Sequence, residues 1–350
     1  MTNAMALLAR AAEALPSPPT PETPAYALRA RPGGPFAPGA LIAAQGFRPW
    51  HDALASEGHD VSPQIASHAP ARPVAMLALT RARAETRALF AQAWALTAPG
   101  GHVLVAGAKT DGIESLQKDL RALGLDPVAR PGGHGRALTV VRADPTPPAL
   151  GAWREAAEPA PRAALPSGAP AVTAAGIFSW DGADPGSALL AEALPPLQGV
   201  VADLGAGWGF LAAAALASEA VARIDLIEAE HAALTCARAN LDDARATFHW
   251  ADARSPRLAE GGHDAVICNP PFHEARAAEP ALGDAFIASA ARLLKPSGAL
   301  WLVANRHLPY ARALDARFAQ VEELAGDRRY RIVRAARPRR RPPPWSARER

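Results

Sequence analysis

The C-terminal half of the chain alternates apolar runs with amphipathic stretches. Helical periodicity covers 210–222, 231–241 and 280–294. Between and after these stretches lie runs typical of buried strands: GVVADLGAG, ARIDLIEAE, ATFHWADA, HDAVICNPPF and GALWLVAN. Strands that alternate with helices predict a doubly wound α/β domain with a mostly parallel sheet, whose ligand crevice lies at the carboxyl ends of the strands.

The N-terminal half carries a weaker version of the same pattern. Strands are predicted at Val74–Leu79 and His102–Ala106, and helices at Ala82–Leu96 and Ile113–Leu123. No strand in this half runs into an acidic residue followed by alternating glycines, and its glycine pairs are typical of turns. We therefore expect a second α/β domain that lacks a ligand-binding turn of its own.

Proline-rich stretches divide the chain. The segment PSPPTPETP at 16–24 predicts an extended surface segment, and we expect residues 1–40 to be poorly structured and to add little to a core. Seven prolines without apolar periodicity predict a Pro- and Ala-rich linker at 144–171. The predicted parts of the chain are therefore a domain at 1–143, the linker at 144–171, a domain at 172–336 and a tail at 337–350.

Composition restricts the class of protein. Hydrophobic residues make up 49% of the 350 residues and charged residues 20%, as in folded globular proteins. No apolar run is long enough for a membrane span, and the N-terminus lacks the basic region of a signal peptide. Two cysteines cannot build a disulfide framework, and the ten histidines lack the spacing of a metal site. We expect a cytoplasmic protein without a metal or a membrane partner.

Positive charge is concentrated at the C-terminus. The net charge is +3, yet Arg328–Arg350 contains ten arginines and a single acidic residue, Glu349, so the rest of the chain is negative. Such a tail could hold RNA phosphates without reading their sequence. It could equally be a solvated end without a partner.

The strand that starts at Gly199 ends in the turn Asp203-Leu204-Gly205-Ala206-Gly207. The glycines allow a ligand to approach the backbone closely, and the amides that open the next helix can bind a polar group. The spacing differs from the G-x-G-x-x-G dinucleotide fingerprint, and a carboxylate here disfavours a pyrophosphate and suits an ammonium. The turn therefore favours S-adenosylmethionine, whose amino-acid end carries an ammonium; a purely structural turn is the alternative.

Acidic residues end the next two strands. Glu228 directly follows the last apolar residue of its strand and can accept hydrogen bonds from both hydroxyls of a ribose; Glu230 is the neighbouring alternative. Asp252 could accept a hydrogen bond from an adenine amino group while Ala253 offers its backbone N–H. Because an isolated acid at a strand end is commonly only solvated, the interpretation of Asp252 depends on its place in this series.

The fourth strand ends in the sequence CNPPFH. Pro270 and Pro271 fix a rigid bend with carbonyls that no helix can use. An amine on a base ring is a poor nucleophile because its lone pair is delocalised. Hydrogen bonds from the amine to the Asn269 side chain and the Pro270 carbonyl would localise the lone pair and aim it at a methyl sulfonium. Phe272 can stack on the base, and His273 could contact the substrate.

These motifs, in this order, resemble class I S-adenosylmethionine-dependent methyltransferases with an Asn-Pro-Pro-aromatic motif, which act on planar NH₂ groups. The segments GIFSWDGADPGSALL (176–190), NPPFHE (269–274) and LKPSGALWLVANRHLPYARAL (294–314) are similar to the bacterial ribosomal RNA guanine-N2 methyltransferases of the RsmC and RlmG type. The resemblance implies two tandem Rossmann-like methyltransferase domains. The N-terminal one is degenerate, and the C-terminal one has a doubly wound, mostly parallel seven-stranded sheet.

Carried over by position, the resemblance implies a set of cofactor-binding and substrate-binding residues. For the cofactor these are Asp203, Gly205 and Gly207 at the methionine part, Glu228 at the ribose, and Asp252 with Ala253 at the adenine. The resemblance adds Ala206 and Ala229 as further cofactor-binding residues. Along the same pocket it implies Phe178, Ser179, Asp184 and Ser187. For the target amine it implies Asn269, Pro270, Pro271 and Phe272. The bulky Trp208 in the glycine turn departs from the family pattern.

The function implied by the resemblance is methyl transfer from S-adenosylmethionine to guanine N2 in ribosomal RNA. We expect 16S RNA in a small subunit or an assembly intermediate as the substrate, a monomeric enzyme, and an N-terminal domain that serves as a docking or chaperoning module. A protein glutamine methyltransferase is the alternative enzyme, because a side-chain amide offers the same planar NH₂ group. A non-catalytic RNA-binding scaffold is the alternative from another class, against which the intact Asp203, Glu228 and Asn269 argue.

Overall fold

The computed structural model describes residues 3–271 and 280–339, which form two compact units. The N-terminal unit runs to Pro159 and includes Ala174–Gly176, and the C-terminal unit comprises Ala160–Thr173 and the chain from Ile177 onward. Within the described residues each unit contains one seven-stranded, mostly parallel sheet with helices. The prediction of two α/β domains is confirmed. No described helix has the length and apolar character required to cross a membrane.

The sheet of the N-terminal unit has the strand order β3-β2-β1-β4-β5-β7-β6, in which only β7 runs antiparallel to its neighbours. Its strands are β1 (Ala25–Leu28), β2 (Leu41–Ala44), β3 (Asp60–Ser62), β4 (Arg72–Ala78), β5 (Thr97–Ala108), β6 (Val128–Gly132) and β7 (Gly135–Val141). Its helices are α1 (Ala4–Glu13), α2 (Arg48–Ser56), α3 (Arg83–Leu96), α4 (Ile113–Ala122) and α5 (Ala149–Glu155).

The prediction that residues 1–40 add little to a core is wrong. Helix α1 buries Met5, Leu7 and Leu8 against β5 and β7, and β1 is an inner strand of the sheet. The Pro-rich segment 16–24 is irregular, as expected, but it only connects these two core elements. The high proline content of residues 1–40 suggested an irregular segment, so the apolar face of the short helix α1 was not recognised.

The predicted linker at 144–171 contains regular structure, which corrects that prediction. Helix α5 packs on α3, with Leu150 buried and the ring of Trp153 in edge-to-face contact with Phe90. The strands β8 (Ala160–Ala164) and β9 (Pro170–Thr173) then pair antiparallel in the C-terminal unit. Prolines at helix starts and in an isolated two-stranded ribbon remove few backbone hydrogen bonds, so they do not prevent either element.

The large sheet of the C-terminal unit has the order β12-β11-β10-β13-β14-β16-β15, which repeats the topology of the first sheet. Its strands are β10 (Gly199–Leu204), β11 (Val221–Glu228), β12 (Ala246–Trp250), β13 (His263–Cys268), β14 (Leu294–Asn305), β15 (Phe318–Gly326) and β16 (Tyr330–Pro338). The helices are α6 (Pro185–Ala193), α7 (Phe210–Leu216), α8 (His231–Asn240), α9 (Pro280–Leu293) and α10 (Ala311–Arg317).

Both faces of this sheet are buried along its inner strands. Along β10, Val201 packs in one apolar cluster, and Ala202 and Leu204 pack in another. This explains why its strands read as continuous apolar runs in the sequence. Helix α7 ends at Leu216, earlier than the predicted residue 222, because β11 already begins at Val221.

The parallel strands bring three chain segments to one edge of the sheet. In the register, Leu204 lies opposite Ile227 on one side and opposite Cys268 on the other. The glycine turn after β10, Glu228 at the end of β11 and Asn269 after β13 therefore share this edge, as expected for the ligand crevice of a doubly wound sheet.

Candidate active site

Asp203 lies one residue before the end of β10 and is fully buried. Neither of its carboxylate oxygens accepts a hydrogen bond of ordinary geometry from a described residue, and the nearby Ala212 backbone amide offsets only part of the effect of burial on its pKa. Burial and the nearby Glu228 carboxylate raise the pKa of Asp203 to about 8. A buried carboxylate without a donor is energetically costly, so this position calls for a cationic or donor-rich ligand.

The turn after β10 is held by backbone hydrogen bonds to β11. The amides of Gly205 and Ala206 donate to the Ile227 carbonyl at 2.9 and 3.1 Å. Gly205 and Gly207 have φ of +76° and +56°, which favour glycine, and a Cβ at Gly205 would lie 3.3 Å from the Phe286 ring. The turn is therefore a fixed, open cradle that larger residues would strain.

Glu228 braces this turn. One carboxylate oxygen accepts a hydrogen bond from the Gly207 amide at 2.9 Å, and the other accepts from the Glu230 amide at 2.7 Å. Burial raises the pKa of Glu228 despite these hydrogen bonds. Because each carboxylate oxygen can accept a second hydrogen bond, Glu228 retains the capacity to bind the two hydroxyls of a ribose.

Asp252 lies two residues beyond β12 and is paired within its own loop. Its carboxylate accepts from the Arg254 backbone amide at 2.9 Å and forms an ion pair with the Arg254 guanidinium at 2.7 Å. Ala253, between these two residues, is buried. The carbonyl of Ala229, after β11, accepts a hydrogen bond from the Trp250 indole at 2.9 Å. An adenine amino group at Asp252 would have to share the carboxylate with Arg254.

Asn269 directly follows β13 and has a fixed side chain. Its amide nitrogen donates to Asp184 Oδ2 at 3.0 Å and to Ser187 Oγ at 2.8 Å. Its carbonyl oxygen is buried and receives no hydrogen bond from any described residue. Pro270 is buried and Pro271 is exposed. The strand end therefore presents an oriented acceptor, which matches an NH₂ group.

The segment 176–190 borders both features. The Trp208 indole in the glycine turn donates to the Ser179 carbonyl at 3.2 Å, so this bulky residue connects the turn to the segment. Ser179 has a φ of +53°, and Phe178 is 61% exposed. Asp184, which the resemblance associates with the cofactor, instead contacts Asn269, as does Ser187.

Sequence reasoning did not single out the residues beneath this edge. Tyr310 is buried with its hydroxyl unpaired among the described residues, and burial raises the pKa of that hydroxyl to about 12. A Cβ on Gly283 of α9 would collide with the Tyr310 ring at 2.2 Å. Tyr310 belongs to the VANRHLPY segment, on which the resemblance partly rests. No local sequence pattern, however, indicates that its ring packs against Gly283.

Two predicted substrate residues, Phe272 and His273, lie outside the described residues. Within 3–271 and 280–339 no group of His, Cys, Asp and Glu side chains is arranged to hold a metal ion. The described edge instead combines a buried carboxylate, a braced glycine turn and an oriented amide oxygen. This arrangement can bind a ligand with a cationic amine beside a second molecule with a planar amine.

Comparison with known proteins gives a family match for the C-terminal half. Residues 169–334 match the model of the methyltransferase small domain family. Two curated relatives are the ribosomal RNA small subunit methyltransferases C of Shewanella piezotolerans, 33% identical over 157 residues, and of Shewanella oneidensis, 33% identical over 159 residues. Each match covers 45% of this chain and 46% of the relative, so the chain spans about half the length of the curated relatives it matches.

A solved structure extends the similarity to both units. It is the T. thermophilus 16S rRNA N2 G1207 methyltransferase (RsmC) in complex with AdoMet and guanosine, which is 25% identical in sequence. The superposition has a TM-score of 0.75 and covers 95% of this chain and 91% of that chain. The presence of two Rossmann-like domains, which the resemblance implies, is therefore confirmed.

Proposed function

We propose, from the match of residues 169–334 to the model of the methyltransferase small domain family, that this protein transfers a methyl group from S-adenosylmethionine to the N2 amine of a guanine in 16S ribosomal RNA. The observation that carries the proposal is a pair of acceptors at the ends of the adjacent strands β10 and β13, the Asp203 carboxylate and the carbonyl oxygen of Asn269, which directly follows β13. Both lack a donor among the described residues. The names of the curated relatives and the ligands of the T. thermophilus structure support this choice of reaction.

The residues at the turn fit S-adenosylmethionine. Asp203 offers a buried carboxyl group to an ammonium, whose positive charge would stabilise the ionised form of that group. Glu228 would bind the ribose hydroxyls while it braces the Gly207 amide. Asp252 and Ala253 would border the adenine, in exchange for part of the Arg254 contact. When bound, the cofactor supplies a methyl group on a positively charged sulfur.

Asn269 and Pro270 would act on the target amine. A guanine N2 group has two N–H donors, and hydrogen bonds to the Asn269 carbonyl oxygen and the Pro270 carbonyl would hold both of them. These bonds draw the nitrogen lone pair out of conjugation with the ring and direct it along one line. The chain contributes positioning and electrostatics, and no covalent intermediate with the protein is required.

We assign the substrate to a small subunit or an assembly intermediate and the reaction to the cytoplasm. A monomer would suffice, since Asp203, Glu228 and Asn269 all lie in the C-terminal unit of one chain. The N-terminal unit, which keeps the topology without the glycine turn, would serve as a docking module. The Arg-rich tail adds a sequence-independent contact to RNA phosphates.

The decisive experiment is methyl transfer from labelled S-adenosylmethionine to unmodified 30S subunits, 50S subunits and free ribosomal RNA. The labelled RNA is digested to nucleosides, which are then identified. We expect labelled N2-methylguanosine, with the label in the 30S sample. Label in another nucleoside, or none in any RNA while the cofactor still binds, would refute the proposal. In the second case glutamine-containing peptides become the substrate to assay.

Asn269→Ala is the matched test of the active-site assignment. It removes the acceptor for the amine and leaves Asp203 and the glycine turn intact. We expect the turnover number to fall by roughly 10²- to 10³-fold, as for the loss of one preorganised hydrogen-bonding group, with nearly unchanged cofactor affinity. Turnover is measured with the labelled cofactor, and affinity by calorimetry. Unchanged turnover would contradict the assigned role.

A further inference from the structure

The Asn269 amide is held at its nitrogen end only. Its two N–H groups have two acceptors, Asp184 Oδ2 at 3.0 Å and Ser187 Oγ at 2.8 Å, while its oxygen is buried without a donor among the described residues. An ionised carboxylate can only accept hydrogen bonds. If the amide were flipped, its oxygen would face the Asp184 carboxylate and two acceptors would repel each other. The charge on Asp184 therefore fixes which end of the amide points away from it.

Asp184 is itself held in place. It is the N-cap of α6, and its Oδ2 atom also accepts the Ser187 amide at 2.9 Å. Pro185 begins the helix, and a Cβ on Gly186 would lie 3.0 Å both from the Asp184 carboxylate and from the Tyr330 ring. The small residue allows this close packing. Asp184 and Ser187 are thus fixed by a helix terminus before any ligand binds.

An unrestrained asparagine would be a poor partner for an amine. The terminal torsion of Asn is broad and roughly two-fold, so a free side chain presents its NH₂ group about as readily as its oxygen. An amine of a base has donors to offer, and only the oxygen end is complementary to it. A hydrogen bond from the amide to an anionic carboxylate also polarises the amide and strengthens its oxygen as an acceptor.

We propose that Asp184 and Ser187 are positioning residues for the methyl transfer: they bind the nitrogen of the Asn269 amide so that its oxygen faces the target amine. The inference rests on the proposed function, because it assigns Asn269 to an amine substrate. It revises the interpretation by resemblance, in which Asp184 and Ser187 line the cofactor pocket. They act through Asn269 and touch neither reacting atom.

The first test is kinetic and uses the full chain. Asp184→Asn keeps the helix cap but removes the charge, and we expect the turnover number to fall roughly 10- to 100-fold, as for a misplaced reacting group. Ser187→Ala removes one hydrogen bond, and a roughly three- to tenfold loss is expected. Cofactor affinity and Tm stay near wild type in both. Asp181→Asn, at an exposed acid of the same segment, is the control and leaves turnover unchanged.

The reciprocal exchange separates positioning from a merely structural role. Asn269→Asp alone places two carboxylates against each other and should be nearly inactive. When Asp184→Asn is added, the amide introduced on α6 can donate to the new carboxylate and leave its second oxygen free for the amine. We expect the double variant to exceed Asn269→Asp in turnover by at least about tenfold. Strictly additive losses in the two variants would overturn the proposal, as would a weakened cofactor affinity in Asp184→Asn with unchanged turnover.

A second readout does not depend on the reaction. With selective ¹⁵N labelling of asparagine, the Asn269 side-chain NH₂ signal is assigned by its loss in Asn269→Ala. We expect slow solvent exchange of these protons in the wild-type protein and faster exchange in Asp184→Asn. Rapid exchange in the wild type would overturn the inference even if guanine is methylated. Slow exchange without guanine methylation would uphold the restraint and refute the proposed function, so the two failures are distinguishable.

Discussion

At the residue scale, the site combines buried acceptor atoms that lack a hydrogen-bond donor with acceptor atoms that are bonded to backbone amides. Asp203 is buried without a donor among the described residues, and Asn269 offers a buried oxygen in the same state. Glu228, in contrast, has both carboxylate oxygens bonded to backbone amides. Buried unpaired groups reduce stability, so the ligand-free protein carries a cost that a complementary ligand can offset.

The cost at Asp203 predicts a pH dependence of stability. Its ordinary pKa is 3.8, and burial with the nearby Glu228 carboxylate raises it to about 8 in the folded protein. Ionisation therefore opposes folding, and the contribution of this group to stability is complete below pH 4 and lost as the pH rises through 8. Asp203→Asn removes that loss, so its free energy of unfolding without cofactor should exceed that of the wild type by several kcal/mol at pH 8.5, because each pH unit in this range changes the contribution of Asp203 by about 1.4 kcal/mol.

This difference should shrink steadily as the pH is lowered toward 4.5. It is measured by urea denaturation of the ligand-free proteins, in parallel with the exposed control Asp181→Asn. The raised pKa of Glu228 acts in both proteins with the same sign and largely cancels in the comparison. A gap between wild type and Asp203→Asn that does not change with pH would refute the protonated state of Asp203. Cofactor affinity should fall in the same variant.

At the scale of elements, the site depends on where strands stop and helices start. Strands β10, β11 and β13 end at one edge, which places Asp203, Glu228 and Asn269 together although up to 66 positions separate them in the sequence. The N-terminus of α6 adds Asp184 and Ser187 from a different part of the chain. In the N-terminal unit, α1 contributes to the core, because its apolar face packs in one of the core clusters.

Because α1 packs in the core, a substitution at Leu8 should lower stability, although the composition of residues 1–40 predicted little contribution to a core. Leu8 is 1% exposed and packs in a cluster with Met76 and Leu104. Leu8→Ala should lower the free energy of unfolding of the N-terminal unit by about 2–5 kcal/mol, since it removes buried methyl groups and leaves a cavity. Denaturant unfolding measures this loss. Glu13→Ala, at an exposed position of the same helix, is the control; equal stability of Leu8→Ala and wild type would contradict a core role for α1.

At the scale of the molecule, two units share one topology and differ in charge at the decisive edge. By strand register, Ala27 and Gln45 occupy in the first sheet the positions of Asp203 and Glu228 in the second. Gln45 accepts the Phe47 amide at 2.8 Å, as Glu228 accepts the Glu230 amide, but it is neutral. The N-terminal unit thus retains the backbone geometry without the anionic groups that would bind an ammonium and a ribose.

This difference predicts one cofactor per chain. Isothermal titration of the full chain with S-adenosylmethionine should give a stoichiometry near one, and Asp203→Ala should abolish the binding. The exposed acid Asp181, changed to Asn, should leave both stoichiometry and affinity unaltered. A stoichiometry near two, or one site that persists in Asp203→Ala, would assign cofactor binding to the N-terminal unit.

The arginine tail predicts a salt-dependent contact. Strand β16 ends at Pro338, and Arg339 donates its backbone amide to Arg317 at 2.7 Å, so a truncation should begin at residue 340. The deleted residues contain four arginines and one glutamate. We expect weaker RNA binding mainly at low salt, with the slope of log affinity against log salt reduced by up to about 3. Equal slopes for the full and the truncated chain would show that the tail does not contact RNA. A variant with the four arginines changed to Gln separates the effect of charge from the effect of length.

The α/β class, the five parallel strands of the C-terminal sheet and the acids and glycines at their ends were predictable from the sequence, because burial and tight turns leave local patterns. Sequence reasoning misjudged α1 and α5, where prolines and alanines concealed short apolar faces. The tertiary structure alone decided the partners: that Asp184 and Ser187 face Asn269, that Arg254 neutralises Asp252, and that Trp208 contacts Ser179. These contacts join residues from segments that the strand order and the placement of the helices bring together. The spacing of the residues along the sequence does not indicate which of them will meet.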